Sequence, residues 1–497
     1  MSATGTRCSE KVLELISGGA SYAGGRWLPG GDGSFDVIDP STEEVLVTLP
    51  RAASAEVDIA VTAARRAFDD GPWPRMTPRE RSQALQRLVD TLTEHSDEFS
   101  ELGALDVGTP ITLSRGLHAG APIAFLQWFA DAAARGPRGS FEHSLGQNHV
   151  IASTTSSLFY EPVGVVAAIA AYNFPLLITA FKVGGALAAG CTVVLMPSAR
   201  APLAGIAFMR AVEEAGIPEG VVNLVVGETE AGVALSQHPG VDMVSFTGSV
   251  DVGRHVMTQA ATGLKKVVLE LGGKSPNIFL PGADIEAGVA PSVLRFTRNT
   301  GQGCGATTRT LVPREDLDRF VAAASSFVDT LKVGDPLDEK TDLGPLIAGD
   351  HRDRVAGYVE RAIAAGGEIV AGGGDPLQER GFFINPAIIS GVGPTAEICQ
   401  EELFGPIGVV LPYDTVEEAV VIANNTRFGL NANVWGKGAD AMKVARQLKS
   451  GTVTINGGGA DRPDAPWGGY GHSGIGYDRG EEGFREFFQV KHIQWPI

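Results

Sequence analysis

The stretch Val163-Gly164-Val165-Val166-Ala167-Ala168-Ile169-Ala170-Ala171 is a continuous run of small and apolar residues. Runs of this kind are typical of strands that are buried on both faces of a parallel sheet. A turn is predicted at residues 172–175, and the small residues after it predict a helix that ends at Ala189. The stretch therefore predicts the start of an α/β region.

Strands and helices are predicted to alternate beyond this helix. Further strands are expected at residues 192–196, 221–226 and 241–246, with a helix at residues 202–215. Alternation of this kind predicts a doubly wound, nucleotide-binding sheet.

The last of these strands enters Thr247-Gly248-Ser249-Val250-Asp251-Val252-Gly253, which is predicted to open a helix. Backbone N–H groups at a helix start, together with a serine hydroxyl, can hold a phosphate, and glycine allows a close approach. The dinucleotide fingerprint G-x-G-x-x-G is absent. The residues themselves therefore leave two interpretations open, a phosphate site and an ordinary strand-to-helix turn.

A lone cysteine lies in Arg298-Asn299-Thr300-Gly301-Gln302-Gly303-Cys304-Gly305-Ala306-Thr307. A cysteine that serves as packing normally lies in an apolar run, because the free thiol behaves as a small hydrophobe. Here glycine flanks it on both sides, which leaves room for a substrate and lets backbone N–H groups turn towards it. Cys304 is therefore predicted to be a nucleophile.

A second stretch, Val267-Val268-Leu269-Glu270-Leu271-Gly272-Gly273-Lys274-Ser275, reads as a buried strand interrupted by one carboxylate. A thiol nucleophile and a carboxylate in apolar surroundings are the parts of a covalent mechanism with a general base. Glu270 is the predicted base.

Composition excludes several classes of protein. The 497 residues favour two or three domains, and the net charge of −18 without a basic run argues against nucleic-acid and membrane partners. The four cysteines lie far apart without metal-ligand spacing, so neither a disulfide framework nor a metal site is predicted, and a cytoplasmic location is expected. A signal-peptide core and a bilayer-spanning apolar run are both missing, which predicts a soluble protein.

Six motifs in order resemble the NAD(P)-dependent aldehyde dehydrogenase superfamily over nearly the whole chain. They are Tyr172-Asn173-Phe174-Pro175-Leu176, Phe246-Thr247-Gly248-Ser249, Glu270-Leu271-Gly272-Gly273-Lys274, Gly301-Gln302-Gly303-Cys304, Glu402-Leu403-Phe404-Gly405-Pro406 and Pro466-Trp467-Gly468-Gly469-Tyr470. The resemblance implies an α/β fold with a Rossmann-type cofactor domain, an α/β catalytic domain and a small β oligomerisation arm.

The resemblance also implies catalytic roles. Cys304 attacks an aldehyde, and the thioester that forms after hydride transfer is hydrolysed by water that Glu270 activates. The oxyanion is held by the Asn173 side chain and the Cys304 backbone N–H, and loss of one such donor typically costs about 2.7–4 kcal/mol. Lys182 aids proton movement. Glu270 disfavours an acyl-transferring relative that uses coenzyme A.

The implied binding residues form two groups. The cofactor-binding group is Phe246, Thr247, Gly248, Ser249, Gly253, Leu271, Glu402 and Phe404. The substrate-pocket group is Phe174, Ile178, Phe181, Gly303 and Gly305, with the loop at residues 457–462 beside it. A small-molecule aldehyde is the expected substrate. Arg462 in that loop has two interpretations, a partner for a substrate carboxylate and a solvated loop residue, of which the second is favoured.

The sequence departs from the family where the adenosine ribose is usually held. Lysine, followed by glutamate three residues later, is common there, but this chain has Met196 and Ala199. Loss of the glutamate removes the usual bar to a 2′-phosphate, and loss of the lysine removes a cation, for which adjacent Arg200 is a candidate substitute. NAD is the expected cofactor, and NADP stays open.

The predicted domains are residues 1–138 and 161–272 for the cofactor, residues 273–472 for catalysis, and residues 139–160 and 484–497 for the oligomerisation arm. The tail reads as an exposed strand that needs a partner, so a homodimer or homotetramer is expected. The alternative function is a catalytically idle relative that acts as a binding or structural protein, which the altered adenosine pocket favours.

Overall fold

The computed structural model describes residues 7–31, 33–148, 153–458 and 461–497. Within these residues the strands form sheets of eight, seven, three and two strands. None of the helices in these ranges has the length and apolar character needed to cross a bilayer.

The helices and strands follow one another along four parts of the chain. The N-terminal part contains α1 (Glu10–Leu15), β1 (Ser21–Ala23), β2 (Arg26–Leu28), β3 (Ser34–Ile38), β4 (Val45–Pro50), α2 (Ser54–Asp69), α3 (Pro78–Glu94), α4 (Ser96–Leu105), α5 (Ile111–Ser114), α6 (Ala121–Arg135), β5 (Glu142–Asn148) and β6 (Thr154–Pro162). The middle part contains β7 (Val165–Ile169), α7 (Pro175–Ala189), β8 (Thr192–Met196), α8 (Leu203–Glu214), β9 (Val222–Leu224), α9 (Thr229–Gln237), β10 (Met243–Thr247), α10 (Val250–Ala261) and β11 (Lys266–Glu270). The next part contains β12 (Pro276–Phe279), α11 (Ile285–Thr297), β13 (Arg309–Pro313), α12 (Leu317–Val328), α13 (Gly349–Ala364), β14 (Glu368–Gly372), β15 (Ala387–Ser390), α14 (Glu397–Gln400) and β16 (Ile407–Tyr413). The last part contains α15 (Val416–Asn424), β17 (Asn431–Trp435), α16 (Gly438–Ala445), β18 (Thr452–Ile455), β19 (Gly474–Ile475), α17 (Gly480–Glu486) and β20 (Phe488–Pro496).

The eight-stranded sheet has the order β19-β11-β10-β7-β8-β9-β1-β2, and its five central strands are parallel. From β7 the chain adds β8 and β9 on one side and then returns to add β10 and β11 on the other. The order of the strands therefore reverses between β7 and β10. In sheets of this type, ligands bind outside the carboxyl ends of the strands at such a reversal.

The predicted alternation is confirmed here. The apolar run that starts at Val163 forms β7, whose first four residues are buried. The helix predicted to end at Ala189 is α7, and Gly190 follows it with a left-handed φ of 99°, a common way to end a helix.

The seven-stranded sheet has the order β14-β15-β16-β13-β12-β17-β18 and is parallel apart from the β14–β15 pair. It holds the second large apolar core. Gly273, whose backbone N–H donates to Glu402, lies between β11 of the eight-stranded sheet and β12 of the seven-stranded sheet. Cys304 lies between α11 and β13. The predicted site therefore lies where the two sheets meet.

The three-stranded sheet has the order β20-β6-β5 and pairs the two segments of the predicted arm. The tail differs from the prediction of a strand from residue 484. Residues 480–486 form α17 instead, because Phe484 and Phe487 are buried in the core of the first sheet, and β20 begins only at Phe488. The division into domains stays a prediction.

Candidate active site

The nucleophile loop follows a turn at residues 298–301 that has an unusual backbone. Asn299 and Thr300 adopt positive φ angles of 50° and 53°, which are uncommon for residues with a side chain and rare for a β-branched one. The side chain of buried Gln302 fixes the loop, because its Oε1 accepts from the backbone N–H of Ile347 at 3.0 Å. Strain of this kind is concentrated at functional sites.

Gly303 and Gly305 flank the thiol in different surroundings. A side chain at Gly303 would meet no described atom within 4 Å, so there is open space on that side of the sulfur. A Cβ at Gly305 would lie 2.8 Å from the indole of Trp467. Trp467 therefore forms one wall of the space beside Cys304.

Glu270 lies at the carboxyl end of β11. Its Oε1 accepts a hydrogen bond from Nε1 of Trp467 at 3.0 Å. Burial, and after it the negative charge of Asp478, raises the pKa of Glu270 to about 8. The pKa of the Cys304 thiol is raised well above its ordinary value by burial and by the charges of Glu270 and Glu402. The two groups predicted to be nucleophile and base thus lie beside the same indole, which bonds to Glu270 and lies against Gly305, the residue after Cys304.

Asn173 lies in the turn between β7 and α7 and is buried. Its Nδ2 donates to the backbone oxygen of Gln302 at 2.9 Å, and its own backbone oxygen accepts from Nδ2 of Asn299 at 3.0 Å. These bonds hold the turn against the nucleophile loop. An amide nitrogen carries two N–H donors, so a second one is available to an oxyanion near Cys304.

Lys182 is fully buried on α7 and pairs with Asp478, its Nζ lying 3.1 Å from both carboxylate oxygens. Nζ also donates to Oγ of Ser245 at 3.0 Å. The charge of Lys182 lowers the pKa of Glu270, and that of Asp478 raises it. The two members of the ion pair therefore act on the pKa of Glu270 in opposite directions.

The predicted cofactor residues after β10 lie at the strand reversal. Ser249 is the N-cap of α10 and accepts from the backbone N–H of Val252. Gly253 and Leu271 pack together, since a Cβ at Gly253 would lie 2.6 Å from the Leu271 side chain. Thr247 is oriented differently, with Oγ1 donating to Asp478 at 3.5 Å. Phe246 is buried, and its ring lies against Gly248.

Glu402 and Phe404 lie in the segment that connects α14 to β16. Oε1 of Glu402 accepts from the backbone N–H of Gly273 at 3.0 Å, and burial raises the pKa of Glu402 to about 7. Phe404 has a φ of 61°, an outlier for an aromatic residue. Its backbone oxygen accepts from Nε2 of His351 at 2.7 Å, and the ring of Tyr172 lies edge-on at 5.9 Å.

Met196, where the sequence predicts an altered adenosine pocket, lies at the end of β8. Its side chain lies beside Gly232, since a Cβ at that glycine would be 3.6 Å from the methionine methyl group. The candidate substitute cation, Arg200, forms an exposed ion pair with Asp350 at 2.6 Å.

The predicted substrate residues lie on or before α7. Phe174 precedes the helix, with its ring 5.9 Å from that of buried His118. Ile178 is buried, and the ring of Phe181 meets that of Phe125 edge-on at 4.7 Å. The predicted loop at residues 457–462 is described only in part, because residues 459 and 460 lie outside the described ranges.

Arg462 in that loop forms two hydrogen bonds with Asp464, at 2.9 and 2.7 Å, and is largely exposed. Of its two interpretations, the geometry matches the solvated loop residue.

Three further residues line this site without having been predicted: Trp467 within a motif, and Asp478 and Arg479 near the C-terminus. The guanidinium of Arg479 stacks on the rings of Trp467, Phe125 and Phe181 at 4.8, 5.2 and 5.7 Å. Asp478 and Arg479 have no recognisable signal in the sequence beyond following a glycine-rich turn.

The fold and the site define a class of enzyme in which a cysteine and a carboxylate act together beside a dinucleotide-type sheet. Residues 27–493 match the profile of the aldehyde dehydrogenase family, and the chain belongs to that family. Oxidation of aldehydes is the chemistry of the family, so the protein is an aldehyde-oxidising enzyme.

Individual relatives span the full chain. A putative aldehyde dehydrogenase, DhaS, of Bacillus subtilis (strain 168) is 36% identical over 97% of both chains. The structure is similar to that of betaine aldehyde dehydrogenase from Staphylococcus aureus in complex with NAD⁺, with a TM-score of 0.93 and 35% identity over 97% of this chain and 96% of the other. It is also similar to a mutant aldehyde dehydrogenase C from Pseudomonas syringae in complex with NAD⁺ and octanal, with a TM-score of 0.92 and 37% identity over 98% of both chains.

Proposed function

We propose that this protein oxidises an aldehyde to a carboxylic acid, with NAD as hydride acceptor, through a thioester on Cys304. The observation that carries the proposal is that Cys304 and the buried Glu270 carboxylate lie beside the same Trp467 indole, which donates to Glu270 at 3.0 Å and lies against Gly305. Reactivity of a cysteine requires the thiolate. A thiol whose pKa is raised needs a base near it, and Glu270 is the proposed base.

The first step is attack of the Cys304 sulfur on the aldehyde carbon while Glu270 accepts the thiol proton. The carbonyl oxygen gains negative charge, and hydrogen-bond donors aimed at that charge lower the barrier. The free N–H of the Asn173 amide and the backbone N–H of Cys304 are the proposed donors. The contacts from Asn173 to Gln302 and Asn299 support this role, because they fix the amide beside the nucleophile loop.

The cofactor residues fit a dinucleotide at the strand reversal. Ser249 and the helix start after β10 would face a phosphate, while Glu402 and Phe404 would hold the other end. When bound, NAD supplies the acceptor for the hydride that leaves the carbonyl carbon. Support for NAD is that similar aldehyde dehydrogenase structures are in complex with NAD⁺.

The second step is hydrolysis of the thioester. Glu270 first passes the proton that it took from the thiol to solvent. As a carboxylate it then takes a proton from water, which attacks the acyl carbon and releases the acid and the thiolate. The buried carboxylate at this point supports hydrolysis rather than transfer to coenzyme A. The Lys182–Asp478 pair is proposed to set the proton affinity of Glu270, since both charges act on it.

The proposal is tested by following the absorbance of reduced nicotinamide with a panel of aldehydes, with NAD and NADP in parallel. We expect turnover with at least one aldehyde, a higher kcat/KM with NAD, and free carboxylic acid as the product without coenzyme A. Absence of turnover with every aldehyde and both cofactors would instead indicate an idle relative.

The activity should depend on pH through Glu270. Because the pKa of Glu270 is raised to about 8, its active carboxylate form increases about tenfold per pH unit below that value and then levels off. We expect kcat to rise with pH and to reach a plateau above about 8. Trp467→Phe removes a hydrogen bond that lowers the pKa, so its profile should shift to higher pH.

The control for this profile is Trp27→Phe. Its indole Nε1 also donates to a carboxylate, Oε2 of Glu213 at 2.9 Å, in another part of the molecule. The Trp27 variant should keep the parent's midpoint. An unchanged midpoint in the Trp467 variant would show that Glu270 does not govern the profile.

Self-association is the remaining part of the proposal. Strand β20 exposes Val490 on one face and Ile493 and Trp495 on the other, and β5 exposes Leu145 in the same three-stranded sheet. Exposed apolar strands usually pair with another chain. A homo-oligomer formed through this arm is therefore proposed, and the mass of the purified protein by light scattering measures it.

A further inference from the structure

Arg479 is a buried cation whose pairing is incomplete. Its side chain is about 6% exposed. Its Nε has no hydrogen-bond partner among the described residues. The ion-pair contact of its guanidinium is with Asp461, at 3.5 Å, and Asp461 is 70% exposed. Buried charges are costly unless they are paired and hydrogen-bonded, so Arg479 has unused capacity for an anion.

The position of Arg479 relates it directly to the substrate. Its guanidinium stacks 4.8 Å from the centre of the Trp467 ring, and Trp467 contacts both Glu270 and the glycine after Cys304. Its other stacking partners include Phe181, which is among the predicted substrate residues. Arg479 therefore lies one aromatic ring away from the reacting groups.

Stacking on aromatic rings leaves the N–H groups of the guanidinium able to donate hydrogen bonds. Aromatic rings cover the flat faces of the group, whereas its N–H donors point outwards in its plane. A planar fork of this kind matches a carboxylate, which it binds through two parallel hydrogen bonds. The surroundings thus favour a carboxylate over a neutral group or a cation.

A second arginine lies near the loop that contains Asp461. Arg295 donates to the backbone oxygen of Gly457, in the loop beside Asp461, at 2.7 Å. Burial lowers the pKa of Arg295, and the charges of Asp461 and Arg298 also act on it. Arg295 and Arg479 thus both lie close to the loop that contains Asp461, in a chain whose net charge is −18.

We infer that the substrate is an aldehyde whose far end carries a carboxylate, and that Arg479 is the specificity-determining residue that binds this carboxylate. The inference rests on the proposed oxidation of aldehydes and names the class of substrate for the same site. The product is then a dicarboxylic acid. The competing role for Arg479 is that of a positioning residue, which holds Trp467 and through it Glu270.

The experiment compares ω-oxo acids of increasing chain length with their methyl esters, for the wild-type protein and for Arg479→Gln. The wild-type protein should prefer the acid at one chain length by roughly ten- to a hundredfold in kcat/KM, the effect of a hydrogen-bonded charge pair. Arg479→Gln should lose that preference, mainly through a rise in KM that is much larger for the acid than for the ester. Arg479→Lys, which retains the charge without the fork, should keep part of the preference.

Arg485→Gln serves as the matched control, because Arg485 is a part-buried arginine of the same segment that pairs with Glu481 and Glu482 on its own helix. It should leave the acid-to-ester ratio unchanged. Equal losses on acid and ester in Arg479→Gln would assign Arg479 to positioning and overturn the inference. A wild-type protein that oxidises esters as well as acids would overturn it without any variant, while the oxidation itself would stand. No oxidation of either, beside turnover of another aldehyde of the panel, would overturn the inference alone, whereas no turnover of any aldehyde with either cofactor would overturn the proposed function as well.

Discussion

Replacing Cys304 with alanine is expected to lower kcat/KM for every aldehyde by about 10⁴-fold or more, because the covalent route disappears with the sulfur. The substitution removes one atom from a part-exposed position flanked by glycines, so the fold should persist. Aldehyde-dependent formation of reduced nicotinamide measures the activity. Binding of the cofactor, followed by quenching of protein fluorescence, should remain.

The matched control for this variant is Cys8→Ala, which changes a second cysteine of intermediate exposure far along the chain. It should have the activity of the parent. Aldehyde oxidation at the parent's rate by the Cys304 variant would contradict the covalent mechanism altogether.

Replacing Glu270 with glutamine is expected to slow both the attack of the thiol and the hydrolysis of the thioester, because both steps transfer a proton to this carboxylate. The amide has the shape of the carboxylate and its oxygen still accepts from Trp467, but it cannot take a proton. General-base catalysis typically contributes about 10²–10⁴-fold. Steady-state turnover should fall by at least that factor, and a mass increase on the intact protein would show that hydrolysis is the slower of the two steps.

A strong added nucleophile separates the two roles of Glu270. If Glu270 acts mainly on water, hydroxylamine should cleave the accumulated thioester and restore part of the turnover. If Glu270 is needed mainly to deprotonate Cys304, no acyl-enzyme forms and hydroxylamine has no effect. Asp90→Asn is a control for loss of one carboxylate, since Asp90 lies on the exposed face of α3. It should behave as the parent.

Much of the fold could be predicted because the helix-capping residues and the pattern of apolar residues in the sequence indicate the same helices and strands that the core buries. Thr77, Pro78 and Glu80 predict a helix start, and they form the N-cap, first residue and capping box of α3. The apolar run from Val163 forms a strand with parallel neighbours on both sides. The helix at residues 480–486 was missed because its seven residues are too few to show a helical period, and the core selects it through Phe484.

Only those site residues that lie in recognisable motifs could be predicted from the sequence. Cys304 stands out because it lies between two glycines and not in an apolar run. Glu270 stands out because it is the one carboxylate in an apolar strand. Trp467 lies in a motif, yet its hydrogen bond to Glu270 depends on how two sheets meet, which no local pattern encodes. His118 is a further example, because no local pattern in the sequence indicates its contacts in the fold. It is buried, with Nε2 2.9 Å from the hydroxyl of Thr109, and that hydroxyl donates to the Asn299 side chain of the nucleophile turn.

The short strand β19 pairs with the end of β11 at Glu270, and Asp478 and Arg479 follow it directly. The edge beside the base is thus completed by a segment that is synthesised long after both Glu270 and Cys304. During translation the thiol and the carboxylate therefore exist before their final neighbours. Until residues 474–479 have been made and have packed against β11, the nascent chain has no finished pocket.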